Sequence, residues 1–498
     1  MSNTTAIESR SVFPKPWKMA VYSIICISLA SLLLLGLKRP EAAIFTIGGA
    51  LGLFVIVLVF YNLEIGFYGM IGFGFILAFL DRMTQSKLPL YSAFFLLPFF
   101  LFMVIIVKSI FSHNRLKIDR HPLVFCYFVT LAYGILQFFN PEMGSVMGWV
   151  SYFRQNLSLA ILLLVCLYLF RSLVNVRFFF KFLIGAMSII AIYGCVQQWI
   201  GFAPSDRIWI YSDPNTLGLY TMPGGGIRKF SLLTDPANFG TLMAAGFLSV
   251  LIISLTSPFR KTKILLGVFA IFMLLGMSYS GTRTANIMVA AGLFLYILLT
   301  LYHKRTRILA VIVAITFLFI LYAPIYGNAT LHRFRTAFKA PSEDASYEVR
   351  LMNRDRIRPY LYSHPFGGGV STTGSAGQKY NPGNFLAYIP PDSILVATFM
   401  ETGWVGLAIH LLFLFVLLTY AVHYYYSSRN KEIKTYYAVM LVMLFSLGLI
   451  GAYAQYTLAS VPQIFVYIPF IALIIKLHTF DSSNSSKTEI NLLKSRRP

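Results

Sequence analysis

Arginine recurs in this chain where apolar sequence gives way to polar loops, at spacings that suit the binding of phosphate. Arg350, Arg354 and Arg358 stand four residues apart between Ser346 and Pro359. If Ser346 caps a short helix that ends near Pro359, Arg350 and Arg354 share one face. Like charges at that spacing cost a few tenths of a kcal/mol, and a bound phosphate reverses the sign. A solvated face partly neutralised by Glu348 and Asp355 is the plainer alternative. Arg283, in Ser280-Gly281-Thr282-Arg283-Thr284, stands beside the N-terminus of an apolar segment. A cation is unfavourable at that positive dipole end unless an anion shares the site; a snorkelling arginine at the headgroups is the alternative. Arg228 and Lys229 follow Gly224-Gly225-Gly226 and are further candidates for anion contact.

Proton transfer has fewer candidates. Asp235 precedes Pro236 as a cap precedes a first helical residue, and is read as a cap. Asp392, in Pro390-Pro391-Asp392-Ser393, either caps the next helix or serves as a base that accepts a proton from a sugar hydroxyl. Glu401 reads as a buried acid satisfied by a helix end, and His364, before Pro365, as a turn residue more than a base. The histidines are scattered without metal-ligand spacing, no Ser, His, Asp set is evident, and no metal or cofactor is expected. The four cysteines fall inside apolar runs.

These residues must be positioned by a membrane protein. The chain is 57% hydrophobic and 12% charged, with a mean hydropathy of +0.70, far more apolar than a soluble domain. The runs are long enough for helices and lack the alternation of barrel strands. Spans are predicted at 18 to 37, 42 to 61, 65 to 80, 89 to 107, 122 to 139, 157 to 170, 178 to 200, 236 to 256, 264 to 280, 284 to 302, 308 to 325, 403 to 422, 437 to 454 and 462 to 477. The third and sixth are short, so the expected fold is an all-α polytopic membrane protein of about 12 to 14 helices. The first span is followed by Lys38, Arg39 and Pro40, not by a cleavage site, and is expected to be retained. The organisation is then helices 1 to 11 in residues 1–325, with a loop at 201–235; a large, partly helical, arginine-rich loop at 326–393; helices 12 to 14 in 394–480; and a polar, disordered tail at 481–498.

The positive-inside rule orients this arrangement. With a cytoplasmic N-terminus, one side collects Lys108 to Arg120, Arg171 to Lys181, Arg260 to Lys263, Lys304 to Arg307, Arg429 to Lys434 and the basic tail, leaving both termini cytoplasmic. The loops at 140–156, 201–235, 280–283 and 326–393 face outward. The net charge of +23 therefore points to anionic membrane lipid, not to nucleic acid. Outside, arginine outnumbers lysine, as suits bidentate phosphate binding.

Arg228 to Asn238, the Ser280 to Ala285 turn, the segment from Arg350 to His364-Pro365-Phe366-Gly367-Gly368-Gly369, and Asp392-Ser393 followed by Glu401-Thr402-Gly403 together resemble the O-antigen ligase and polymerase superfamily of bacterial envelope glycosyltransferases. The resemblance spans roughly the second half of the chain. It implies a GT-C-like, metal-independent, inverting glycosyltransferase of the bacterial inner membrane, with its site facing the periplasm. The implied donor is an undecaprenyl-pyrophosphate-linked glycan, the acceptor another glycan or lipid A core, and a chain-length regulator a further partner. Arg228, Arg283 and one or more of Arg350, Arg354 and Arg358 would bind pyrophosphate, and a base such as Asp392 would activate the acceptor hydroxyl. Ligases of this family usually show His-Asn where Asp392-Ser393 stands, which favours a polymerase of surface polysaccharide over a ligase.

A flippase or transporter is the competing reading from another class, but there are almost no mid-span acids and no repeated halves. A third reading makes the arginine-rich loop a lipid or partner docking surface without chemistry.

Overall fold

The computed structural model describes residues 57–84, 86, 88–112, 119–222, 225–325, 329–338 and 345–495. Its first helices are α1 Leu63–Met83, α2 Leu90–Phe111, α3 Pro122–Phe139, α4 Val146–Leu169 and α5 Leu173–Trp199. Two short helices, α6 Pro204–Tyr211 and α7 Pro214–Tyr220, lie in the next loop. Then come α8 Pro236–Thr256, α9 Arg260–Tyr279, α10 Arg283–Thr300 and α11 Lys304–Tyr322. The long loop holds α12 Ala329–Phe338, α13 Ala345–Ser363 and α14 Gly374–Tyr380. It is followed by α15 Ile394–Ser427, α16 Lys431–Ala454 and α17 Gln463–Ser495.

Among the described residues, 12 helices are long and apolar enough to cross a membrane, and no strand occurs beyond an isolated bridge between Thr221 and Ile227. The chain is an all-α polytopic membrane protein. The twelve spans match those predicted from 65 onward. The two predicted at 18 to 37 and 42 to 61 lie outside the described residues, apart from a helical turn at 57–61.

The two spans that looked short are full crossings of 21 and 24 residues. In α4 the missing turns include Ser151, Arg154, Gln155 and Asn156, which lower the local hydropathy. Ser145 caps the helix by accepting from Gly148 N–H, Arg154 donates to the Ser92 carbonyl at 3.3 Å, and Asn156 bonds back to Tyr152. Two helices run past their expected ends. α13 continues through Pro359 to Ser363; the lost Pro N–H leaves only the carbonyl of exposed Asp355 for water to satisfy. α17 keeps helical backbone to Ser495; no glycine or proline occurs between Asp481 and Ser495, so the polar tail expected from 481 is helical as far as 495.

The helices differ sharply in depth. Two-thirds or more of the α8, α16 and α17 spans is buried, against 6% for α11, so the first three form the centre and α11 lies on the rim. Phe239 of α8 fills the notch left by Gly194 on α5 and Gly276 on α9, where any Cβ would collide with its ring. Small residues bring these helices close in a setting where helix contact depends on packing.

The loop after α5 is pinned to the bundle by a buried ion pair. Arg82, near the end of α1, donates through Nε to Asp206 of α6 at 3.1 Å and through Nη1 and Nη2 to the carbonyls of Leu233 and Ser231. Their side chains are 2% and 0% exposed. Gln197 completes the knot, donating to Asp206 and accepting from Ser231 N–H. Removing one partner strands the other as an uncompensated buried charge. Asp206→Ala is therefore expected to cost about 3–5 kcal/mol, read as a lowered unfolding temperature in detergent, and the Arg82→Met, Asp206→Leu pair to cost clearly less. Equal losses in single and double variants would show that the charge pairing is not what anchors the loop.

Candidate functional site

The end of the bundle carrying the long loops is built around the turn between α9 and α10. Gly281 takes a left-handed φ of 61°, and Ser280 and Thr282 fold inward. The Thr282 hydroxyl donates to the Pro236 carbonyl at 2.9 Å and so does not cap α10, whose N-terminus has no side-chain cap. The first-turn N–H groups of α10 thus remain donors without that partner, and they carry the positive end of the helix dipole.

Arg228 braces this turn. Its Nε donates to the Ser280 carbonyl at 2.8 Å, Nη2 to the Thr282 hydroxyl at 3.0 Å and Nη1 to the Leu219 carbonyl at 3.3 Å. Three of its five N–H groups are thereby committed. Burial, reinforced by neighbouring Arg333, pushes its pKa down to about 10. Arg228 is thus a strut that adds charge to the turn. Lys229 is turned away, its ammonium 4.4 Å from the centre of the Phe202 ring.

Three further guanidinium groups gather beside α10. Arg283 is its first residue, and Arg333 of α12 and Arg350 of α13 stand near enough for their charges to act on it. Arg333 also acts on Arg228. α12 packs against both α10 and α11, with Phe334 and Phe338 against Phe317. Its two arginines then diverge in role. Arg335 donates to the carbonyls of Ile320, Ala323 and Ile325, tying off the end of α11. Arg333 is held low in pKa by burial, and its Nε is buried without a hydrogen-bond partner. Among the candidates predicted from sequence, Arg228, Arg283 and Arg350 are brought together; Arg333 joins them although no motif marked it above Arg335.

Arg354 and Arg358 sit further along α13 and meet other neighbours. The Arg354 guanidinium lies 5.6 Å from the centre of the Tyr453 ring, while Arg358 is exposed and pairs with Asp355 at 3.6 Å. Both line a separate cavity with Ser393.

Two sequence motifs interlock beneath the loop. α15 breaks at Gly403, which has φ 66° and ψ −164°. The turn after His364 fills the break: Gly368 N–H donates to the Met400 carbonyl at 2.8 Å and Trp404 N–H to the Pro365 carbonyl at 3.0 Å. Tyr133 donates to the Thr402 carbonyl, so the Met400 and Thr402 carbonyls and the Trp404 N–H at the break each have a partner. Gly367 and Gly403 touch backbone to backbone, with no room for a Cβ on either. Gly403→Ala is expected to cost at least the ~1–3 kcal/mol of a strained backbone, seen as a lower unfolding temperature. Gly69→Ala, where a Cβ meets nothing, is the control and should leave that temperature unchanged.

The remaining predicted residues fall around this lock. Glu401 accepts from the Thr373 hydroxyl at 2.6 Å and from Thr373 N–H at 3.3 Å; Thr373 is the N-cap of α14, so the acid is satisfied at a helix end. His364 stacks on Tyr360 with ring centres 4.0 Å apart and makes its Nδ1 contact with the Tyr360 carbonyl, as a turn residue would. Asp235 caps α8, accepting from Ala237 and Asn238 N–H. The cap of α15 is Ser393, which accepts from Val396 N–H at 3.1 Å. Asp392, just before it, makes no hydrogen bond or ion pair among the described residues and is half-buried.

Residues 268–411 match the family described as O-antigen ligase. Over this part of the chain, the match supports the likeness to the O-antigen ligase and polymerase superfamily. The matched stretch takes in the turn before α10, the arginines of α12 and α13, the interlocked glycines and Asp392, all at one end of the bundle. Arg228 and the pinned loop lie outside it, joined to the O-antigen ligase region by the Arg228 contacts to Ser280 and Thr282. No curated protein matches the chain.

Proposed function

We propose that this protein is an inverting glycosyltransferase of the bacterial inner membrane that polymerises surface polysaccharide repeat units carried on undecaprenyl pyrophosphate. The observation that carries the reading is the gathering of Arg228, Arg283, Arg333 and Arg350 at the uncapped N-terminus of α10, at the membrane boundary. Four mutually repelling cations are tolerable there when a polyanion completes the site, and a pyrophosphate offers both the charge and the oxygens for forked donors. The basic loops at the opposite end of the bundle support placing this end in the periplasm and both termini in the cytoplasm.

In the proposed reaction an acceptor hydroxyl oxygen attacks C1 of the first donor sugar from the face opposite the pyrophosphate. The Asp392 carboxylate takes the hydroxyl proton. The bond from C1 to the phosphate oxygen breaks, its electron pair leaving with lipid pyrophosphate, and the single displacement inverts C1. Charge develops on the departing oxygen, where Arg283, Arg333, Arg350 and the α10 N–H groups stand pre-placed in a low-dielectric setting. Arg228 holds the turn that presents them. Glu401, committed to Thr373, is a poorer base than Asp392.

The decisive experiment gives purified protein in proteoliposomes lipid-pyrophosphate-linked repeat units, with and without lipid A core. Chains that lengthen without core identify a polymerase; product formed only with core identifies a ligase transferring glycan to lipid A. Lipid-linked glycan that crosses the bilayer with no glycosidic bond formed would replace both with a transporter.

A further inference from the structure

We propose that the slot between α13, α15 and α16 holds the prenyl-pyrophosphate end of the acceptor, so that two lipid-linked substrates are bound at once. The inference rests on the glycosyltransferase reading and adds where the second substrate sits. The slot is a cavity of about 370 Å³, within the size range of small-molecule sites. Its polar end lies at loop level, where Arg354, Arg358, Ser393 and Tyr453 meet. From there it descends past Val396 and Phe399, crosses the level of the Gly403 break, and continues along Leu407 and Leu411 of the membrane-crossing part of α15. Cations at the headgroup level above an apolar channel running into the bilayer are complementary to an anionic amphiphile, and to neither a free sugar nor a free phosphate.

Two observations point to a ligand beyond the shape. The Arg354 Nε is buried with no hydrogen-bond partner, and a buried donor left unmade is costly. The slot is also separate from the α10 cluster, none of whose arginines lines it: α13 brings Arg350 within charge reach of Arg283 and, one turn later, sets Arg354 against Tyr453. One helix thus serves two anion sites, with Asp392 next to Ser393 in the wall of the second. Polymerisation joins two lipid-linked glycans, so it calls for two headgroup sites flanking the base. A single narrow channel fits one prenyl chain, whereas the several acyl chains of lipid A need a broad face. The acceptor glycan then arches from the slot, and its far end reaches C1 of the donor beside Asp392.

The test counts undecaprenyl pyrophosphate bound to the full chain in nanodiscs by native mass spectrometry, with a diazirine on the prenyl chain to map contacts. Two bound equivalents in the wild type are expected. Leu407→Trp, which fills the channel, and Arg354→Ala should each remove one and abolish cross-linking to the Leu407 to Leu411 stretch, while Arg283→Ala removes the other. Arg354→Ala keeps the test intact if Leu407→Trp fails to fold. One equivalent, lost only in Arg283→Ala, would overturn the second site and leave the glycosyltransferase reading standing; no binding at all would overturn both. Displacement of the second equivalent by lipid A core would overturn the prenyl acceptor in favour of lipid A.

Discussion

Asp392→Asn is expected to lower the rate of glycosidic bond formation by about 10²–10⁴-fold, the contribution of a well-placed general base, while lipid-pyrophosphate binding stays near the wild-type level. The substitution is nearly isosteric. Asp392 makes no hydrogen bond or ion pair among the described residues, and Ser393 supplies the cap of α15, so the fold loses nothing when the charge goes. Initial rates and unfolding temperature measured on the same preparation separate the roles: a capping residue would move the second, a base only the first. An Asp392→Asn enzyme retaining more than a small fraction of its rate would mean that the hydroxyl proton goes elsewhere.

Arg283→Ala should reduce the rate by about 10²–10³-fold, the range for removing one oxyanion donor from a preorganised site, and should weaken pyrophosphate binding as well. Arg283→Lys is expected to recover part of the binding and little of the rate, because an ammonium restores charge but not the planar fork. Arg333→Ala should behave like Arg283→Ala. Arg335→Ala, two residues away, should instead act on stability, since its three contacts all go to the end of α11. If Arg333 and Arg335 variants lost activity and stability alike, the division of α12 into one ligand-facing and one structural arginine would be wrong.

Hydropathy made the spans legible because lipid forces every crossing to announce itself as an apolar run; it missed the first turns of α4, where Ser151, Arg154 and Asn156 are helical but polar. The arginines at 228, 283 and 350 could be singled out from their places beside helix starts. Their separation from Arg354 and Arg358 could not, since the four-residue spacing on α13 is the same throughout and only the packing of that helix against α15 decides which neighbour each one meets. Arg333 and Arg335 are a similar case: two arginines in an amphipathic stretch, told apart only by where α11 ends. The Arg82 to Asp206 pair joins residues 124 positions apart and carries no local signal. The glycine motifs, conversely, were visible as turns, but that one turn is the counterpart of the other emerges only when Gly367 meets Gly403.

That meeting also acts as a ruler. With Gly403 clamped by the turn after His364, the segment from Ile394 to Thr402 is a helical rod of fixed phase, and Asp392 projects from its free end. Inserting or deleting one residue in the rod would rotate that end by about 100° and shift it by about 1.5 Å, re-aiming the carboxylate although every residue remained. In the proposed reaction, the length of this rod, as much as the identity of its residues, would set the register between base and leaving group.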